Sequence, residues 1–412
     1  MSPDAALQFL PATELASNIR SGELSARQLM EVHLAEIERL NPRVNAIVNL
    51  DADAALERAD AADTTQAKGH PLGPLHGLPI AHKDLALTAG MRTTFGSPLF
   101  AEFVPKQDAL IVERLREAGT VLLGKTNVPE FGAGSQTYNE LFGATRNPYD
   151  LTKTCGGSSG GAAVALACGM LPVADGSDLG GSLRNPASFC NVVGFRPSPG
   201  RVPQWPSEHG WASLSVEGPM ARTVGDVALM LSAIAGPDER SPISLGEPGT
   251  TFARPLERDF HETRIAWSPD LGGLAVDSRV TRVIEAALPT FEGLGCHVDA
   301  ACPDFSHAND TFKTLRAWFF AQSLGDARKK FGSRMKETIR WNVDQGMELS
   351  ALEVGRAEQE RTRLYHRMRT FMQHHDFLLC PVSQALPFDI DQHWVSEIEG
   401  VEMPTYLDWM MS

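Results

Sequence analysis

Two glycine–serine clusters and one lysine limit what this chain can become more than any other feature in it. Lys83 closes the apolar run Leu78-Pro79-Ile80-Ala81, which reads as a buried strand after a turn that begins at Gly73. Far downstream, residues 155–169 read CGGSSGGAAVALACG, and residues 176–187 read GSDLGGSLRNPA. Taken singly, a lysine at a strand end is usually a side chain reaching for water. A lone Gly-Ser cluster is usually a flexible turn or a helix cap. All three in one chain, in this order around Lys83, Ser158 and Ser182, are a rare combination.

A core large enough to hold such a site needs apolar residues, and these make up 42% of the 412 positions. That length exceeds a typical single core, yet some α/β enzymes of this size form one continuous domain. The excess of 51 acidic over 37 basic residues argues against nucleic acid and anionic lipid as partners. Six cysteines (155, 168, 190, 296, 302 and 380) form no CxxC pair and no zinc-finger spacing, so they read as free buried thiols in a reducing compartment. The N-terminus lacks a basic segment followed by an apolar run, and the small-apolar stretch 162–174 is too short to span a bilayer. A cytoplasmic enzyme is therefore expected.

Along the chain, Leu24, Leu29, Val32, Leu34, Ile37 and Leu40 recur at helical spacing, with Ser21 or Ser25 as cap. A short strand is expected over 44–50 and a helix over 51–68. An amphipathic helix follows over 108–118, with an apolar strand over 120–123. Residues 132–161 read as loop, 162–170 as a tightly packed helix, 171–174 as a strand and 176–186 again as loop. Thr223 and Asp226 have capping-box spacing at the start of a helix over 223–235. The Gly/Pro-rich stretch 245–255 reads as a link between two parts of the fold. Residues 276–293 and 309–375 read as mostly helical, and 377–382 as a last strand.

Two short motifs compete with the three-part pattern. Gly119–Thr126 (GTVLLGKT) fits the phosphate-loop spelling, but Val121-Leu122-Leu123 is a strand-forming run, and Pro129 and Gly132 stand where the helix should follow. Gly156–Gly160 fits GxSxG around Ser158, and the frame one residue on centres on Ser159. The preceding PYDLTKTC is too polar for the buried strand a nucleophile elbow needs, and no later histidine has a distinctive setting.

With these segments in view, the chain resembles the amidase signature family. The matching stretches are GLPIAHKD, GKTNVPEFG, FGATRNPYD, GGSSGGAAVALACGM, GSDLGGSLRNPASFCNVVGFRPS and EGPMARTVGD, in order between residues 77 and 226. The resemblance implies one α/β domain over 1–412, built on a central mixed, mostly parallel twisted sheet with helices on both faces. Its signature core would cover about 70–235, and a more variable helical region about 256–375. It also implies a Ser–Ser–Lys triad, with Lys83 the general base, Ser158 the bridging serine on a cis peptide bond, and Ser182 the nucleophile. The backbone N–H groups of Leu179, Gly180, Gly181 and Ser182 would form the oxyanion hole, with Gly132 near the scissile group. The implied activity is cleavage of a C–N bond in a small or aryl amide through an acyl-enzyme on Ser182, with esters and carbamates as further substrates.

No metal and no cofactor is expected. The expected partners are a small-molecule amide and at most a second copy of the chain, as a homodimer. Three alternatives stand beside this reading: a glutamine amidotransferase-like subunit with a partner protein, an α/β-hydrolase-type esterase, and a catalytically impaired scaffold. Family members continue well beyond the position of Ser412, whereas this chain stops in TYLDWMMS, which reads as the middle of a helix. The expectation is a chain lacking its C-terminal part.

The chemistry is consistent with those roles. Lysine acts as a base only when neutral, so the site must lower its usual pKa of about 10.4 by burial or by a nearby positive potential. The apolar strand supplies burial, and a helix starting near Ser158 would aim its positive end at the site. Gly180-Gly181 ahead of Ser182 suits an oxyanion hole, because successive N–H groups aimed at one atom need dihedral angles that a Cβ resists. Asp178 and Arg184 flank that loop and are expected to hold it rigid. His82 and Asp84 alternate with Lys83 along the strand and are expected to be structural. Cys155 and Cys190 read as packing residues. Trp205, Glu208 and Trp211 either line the substrate pocket or pack.

Overall fold

The computed structural model describes residues 7–412. The helical start divides in two. Gly22 adopts φ +81°, which a side chain resists, and so ends α1 (Ala12–Ser21). Ser25 then starts α2 (Ala26–Val44): its hydroxyl accepts the Gln28 N–H, and the Gln28 side chain returns a bond to the Ser25 N–H. There follow β1 (Ile47–Leu50), α3 (Ala52–Ala67), β2 (Pro79–Lys83), α4 (Leu110–Glu117), β3 (Val121–Thr126), β4 (Tyr138–Asn139) and β5 (Gly143–Ala144). Next come α5 (Gly160–Ala167), β6 (Val173–Asp178), α6 (Arg184–Cys190), β7 (Val193–Gly194), β8 (Val216–Ala221) and α7 (Val224–Ile234). These elements, with Pro387–His393, form one compact unit that ends at Leu256, just past the Gly/Pro-rich link.

In this unit β3 is the middle strand of a mixed sheet, parallel to β2 and antiparallel to β1. A second sheet, in the order β6-β8-β7, is antiparallel, with Ser177 opposite Glu217. The α/β class and the mixed pairing are as expected from the sequence. The strands are divided among smaller sheets, and among the described residues of this unit the parallel pair is β2–β3. A side chain joins the two sheets: Asp175 on β6 accepts the Lys83 N–H of β2 at 3.1 Å and meets His82 Nδ1 at 2.8 Å. α5 packs against β2, β3, β6 and β8, and every residue from Gly160 to Leu166 is buried. Its small side chains permit that approach: a Cβ on Gly161 would lie 2.3 Å from the Asn127 backbone nitrogen. Val164, Leu166, Ala174 and Met220 belong to one apolar cluster, and Leu78, Ile80, Val112 and Met230 to another.

The second unit comprises residues 257–386 and 394–412. Its elements are β9 (Arg264–Trp267), α8 (Ser278–Glu285), α9 (Leu288–Gly293), β10 (His297–Ala300), α10 (Ala308–Phe331), α11 (Glu337–Glu348), α12 (Ala351–Phe371), β11 (Phe377–Leu379), β12 (Glu397–Ile398) and β13 (Val401–Glu402). β10, β9 and β11 form a parallel sheet, and helices make both crossovers, as parallel strands require. Arg316, Asn342 and the Tyr406 hydroxyl form a buried polar cluster.

Several local readings are corrected. The strand expected over 171–174 runs from Val173 to Asp178, because pairing with β8 carries it through Gly176-Ser177-Asp178. α6 and β8 are not foreseen from the sequence, nor are β9 and β10. The Thr223–Asp226 box is half made. Thr223 caps the Asp226 N–H, but the Asp226 carboxylate accepts the Thr13 N–H at the start of α1 instead. The last residues do not continue a helix: Asp408 draws in the Thr405 N–H and hydroxyl, closing a turn that buries Trp409. No helix among the described residues is long and apolar enough to cross a membrane.

Candidate active site

Lys83 ends β2 with 1% of its surface exposed. Its Nζ lies 2.9 Å from Ser158 Oγ, 2.8 Å from Ser159 Oγ and 2.9 Å from Ser177 Oγ, with the Ser177 carbonyl at 3.3 Å. Among the described residues it makes no ion pair. Burial pushes the amine down to about 7, against the pull of Asp178, Asp175 and Glu217 toward the charged form. Ser159 is also the N-cap position of α5, so the positive end of that helix stands beside the amine and further disfavours the ammonium.

The Gly157–Ser158 peptide bond is cis. Ser158 and Ser182 are both buried, Ser182 at 8% exposure. The Ser159 N–H donates to the Ser182 carbonyl at 3.3 Å, tying the two glycine-lined loops together. The Ser182 hydroxyl makes no hydrogen bond among the described residues. Gly132, with φ +71°, borders the same space: a Cβ there would sit 3.5 Å from Ser158 Oγ and 2.9 Å from Leu85 Cδ1.

Asp178 organises the loop that carries Ser182. Its carboxylate accepts the Gly181 N–H at 2.9 Å and the Leu183 N–H at 3.1 Å. Arg184 Nε donates to it at 3.0 Å, and Arg196 binds both its carboxylate and its carbonyl. Although burial opposes ionisation, Arg184 first and then Arg196 hold this acid down to about 2. The Gly181 N–H, one of the four expected in the oxyanion hole, is thus already engaged. Those of Leu179, Gly180 and Ser182 donate to nothing among the described residues. Three unengaged donors on one short loop are available to an oxygen that gains negative charge.

His82 and Asp84 have structural partners: His82 meets Asp175, and Asp84 accepts from the Thr94 N–H and hydroxyl. Cys155 and Cys190 are buried thiols, with Cys155 pushed up to about 12 by desolvation. The Trp205 ring packs under Arg240, and Trp211 is 78% exposed. The phosphate-loop spelling lies in β3, where buried Lys125 donates to the Ala86 carbonyl and to Thr88 and Thr93 hydroxyls rather than to an open cradle. Ser158 and Ser159 both face Lys83, not a histidine. A cleft of about 810 Å³ is lined by Arg58, His76, His82 and Arg92 but by none of Lys83, Ser158 and Ser182.

The sequence presents Ser159 only as the centre of a second GxSxG frame, without its contact to Lys83, and gives no role to Ser177, Asp175, Arg196 or Glu217. Ser159 and Ser177 carry a visible signal, the doubled serine of GGSSGG and the serine of GSD. The others are set by strand pairing and by the return of the chain after α6.

Residues 28–412 match the profile of the Amidase family. An acylamidase of Rhodococcus erythropolis is 36% identical over 410 residues, covering 98% of this chain and 86% of that protein. A glutamyl-tRNA(Gln) amidotransferase component of Chromohalobacter salexigens is 41% identical over 286 residues, covering 69% of this chain and 59% of that protein. The crystal structure of a bacterial aryl acylamidase of the amidase signature enzymes superposes with a TM-score of 0.92 at 29% identity, covering 98% of this chain and 86% of that one.

Proposed function

This chain belongs to the Amidase family, and on that premise we propose that it hydrolyses the C–N bond of a small or aryl carboxamide through an acyl-enzyme on Ser182. The observation that carries this reading is the buried, ion-pair-free amine of Lys83 at 2.9 Å from Ser158 Oγ. In the proposed sequence, Ser158 gives its proton to Lys83 and takes one from Ser182, whose oxygen attacks the amide carbon. The N–H groups of Leu179, Gly180 and Ser182 receive the carbonyl oxygen as it becomes an oxyanion; such donors are worth about 3 kcal/mol of barrier each. The proton on Lys83 then returns through Ser158 to the nitrogen as the C–N bond breaks, since an amine leaves poorly without it. Water, deprotonated along the same path, attacks the ester on Ser182, and the proton returns from Lys83 through Ser158 to the Ser182 oxygen as the acyl–oxygen bond breaks and the acid is freed.

Two N–H bonds of a neutral amine directed at Ser159 and Ser177 leave its lone pair for Ser158, which is the orientation this relay needs. The test is release of aniline from simple anilides by the purified chain. Turnover by wild type and none by Ser182→Ala is expected; equal turnover by both contradicts it. The amidotransferase reading draws on the higher identity over 286 residues, but the acylamidase match runs through 98% of the chain, and that extent favours the hydrolase.

A further inference from the structure

We propose that Glu217 is a positioning residue for Lys83: a carboxyl that keeps a proton one side chain away from the amine, behind Ser177, so that the ionisations of the two are linked. The proposal rests on the hydrolase reading above. It starts from the register of β6 and β8, in which Ser177 and Glu217 stand directly opposite. Opposed residues in an antiparallel pair carry their side chains on one face, with Cβ atoms about 5 Å apart. Ser177 Oγ is itself 2.9 Å from Lys83 Nζ, so Glu217 is one side chain removed from the amine.

Its partners set it apart from the neighbouring acids. Glu217 Oε2 is shut off from solvent and has no hydrogen-bond partner among the described residues. Asp175, on the same face of β6, has His82 Nδ1 and the Lys83 N–H. Asp178, whose charge also reaches Lys83, has Arg184 and Arg196. Glu217 is half-buried and its enclosed Oε2 has no such donor among the described residues, so ionisation would leave charge on an oxygen that neither water nor a donor reaches. Burial, and after it the charge of Asp175, push this acid up to about 8, with Lys83 pulling the other way.

The consequence falls on the base. Asp175 and Asp178 already favour an ammonium at Lys83, and a third negative charge would favour it more. While Glu217 holds its proton that charge is absent. When Glu217 gives up a proton ahead of Lys83, the amine stays charged and idle. The rise of kcat/KM with pH is therefore spread over two linked ionisations.

The test uses the full chain. Infrared difference spectra of wild type are expected to show a protonated-carboxyl C=O stretch at neutral pH that disappears as pH rises through about 8, and that Glu217→Gln lacks. In kinetics, Glu217→Gln is expected to narrow the rise of kcat/KM to one ionisation and to lower its midpoint by about half a pH unit, with the plateau retained. A wild type without the band at neutral pH, or superimposable pH profiles, overturns the proposal. The wild-type band titration stands without any variant, should Glu217→Gln fail to fold. Lys83→Ala separates the two readings. Full activity there removes Lys83 as base and this proposal with it. Loss of activity there, beside superimposable Glu217→Gln and wild-type profiles, removes this proposal alone.

Discussion

A lysine works as a base only where its charge is unwelcome, and Lys83 meets that condition by being shut away among hydroxyls, with no carboxylate in contact among the described residues. With the amine pushed down to about 7, kcat/KM is expected to fall as pH drops below that value, approaching tenfold per unit as the ammonium takes over. Lys83→Ala should cut kcat by about 10³-fold or more, and Lys83→Arg should not restore it, because a guanidinium keeps its proton. A flat profile between pH 5 and 8 would count against the neutral-amine base. The linkage sign for Lys83 follows from its lowered value: the folded chain binds fewer protons than the unfolded one above about pH 7, so this residue makes stability rise with pH toward the ordinary lysine range. Asp178 acts at the other end of the scale. Its carboxylate contributes stability in full above the ordinary aspartate range and loses it as pH falls toward about 2. Arg184→Ala should lower kcat about tenfold with KM nearly unchanged, because it loosens the loop that presents the oxyanion donors; unchanged kcat in a folded variant would refute that supporting role.

At the scale of elements, α5 does the placing. Its helix begins at Gly160, immediately after the two serines, and its small residues let β2, β3, β6 and β8 close around it. Gly161→Ala should therefore destabilise the chain by about 1–3 kcal/mol, the range for overpacking a close-packed interior, and chemical denaturation measures it. An unaltered midpoint would mean that the surrounding backbone gives way freely. The small-residue run was legible in the sequence because every residue in it pointed to tight packing. The serine-bearing strand β6 was legible only as far as Ala174. Gly176-Ser177-Asp178 spells a turn by local propensity, and it is strand because β8 supplies partners that a local reading cannot see. β8 itself hid behind Gly218 and Pro219, two residues that ordinarily argue against a strand.

Across the whole molecule, the three residues singled out at the start come from β2 and from two loops far apart in sequence, and the first unit gathers them. Lys83 and Ser158 were readable as a pair only through their match to a known pattern; nothing in the spacing alone states that they touch. What the sequence could not yield was the support around them, since Asp175, Arg196 and Glu217 gain their roles from pairing and burial. The second unit has its own internal support. Tyr406→Phe would leave Arg316 and Asn342 short of a buried partner and should cost about 1–3 kcal/mol in thermal or chemical unfolding. No change in that variant would show that water replaces the hydroxyl.

The central claim, that neutral Lys83 arms Ser182 through Ser158, is met most directly by locating the adduct of a fluorophosphonate probe by peptide mass spectrometry and timing its formation. The adduct is expected on Ser182, with none in Ser182→Ala and a labelling rate lower by about two orders of magnitude or more in Lys83→Ala. An adduct on another residue, or a Lys83→Ala rate equal to wild type, would contradict it.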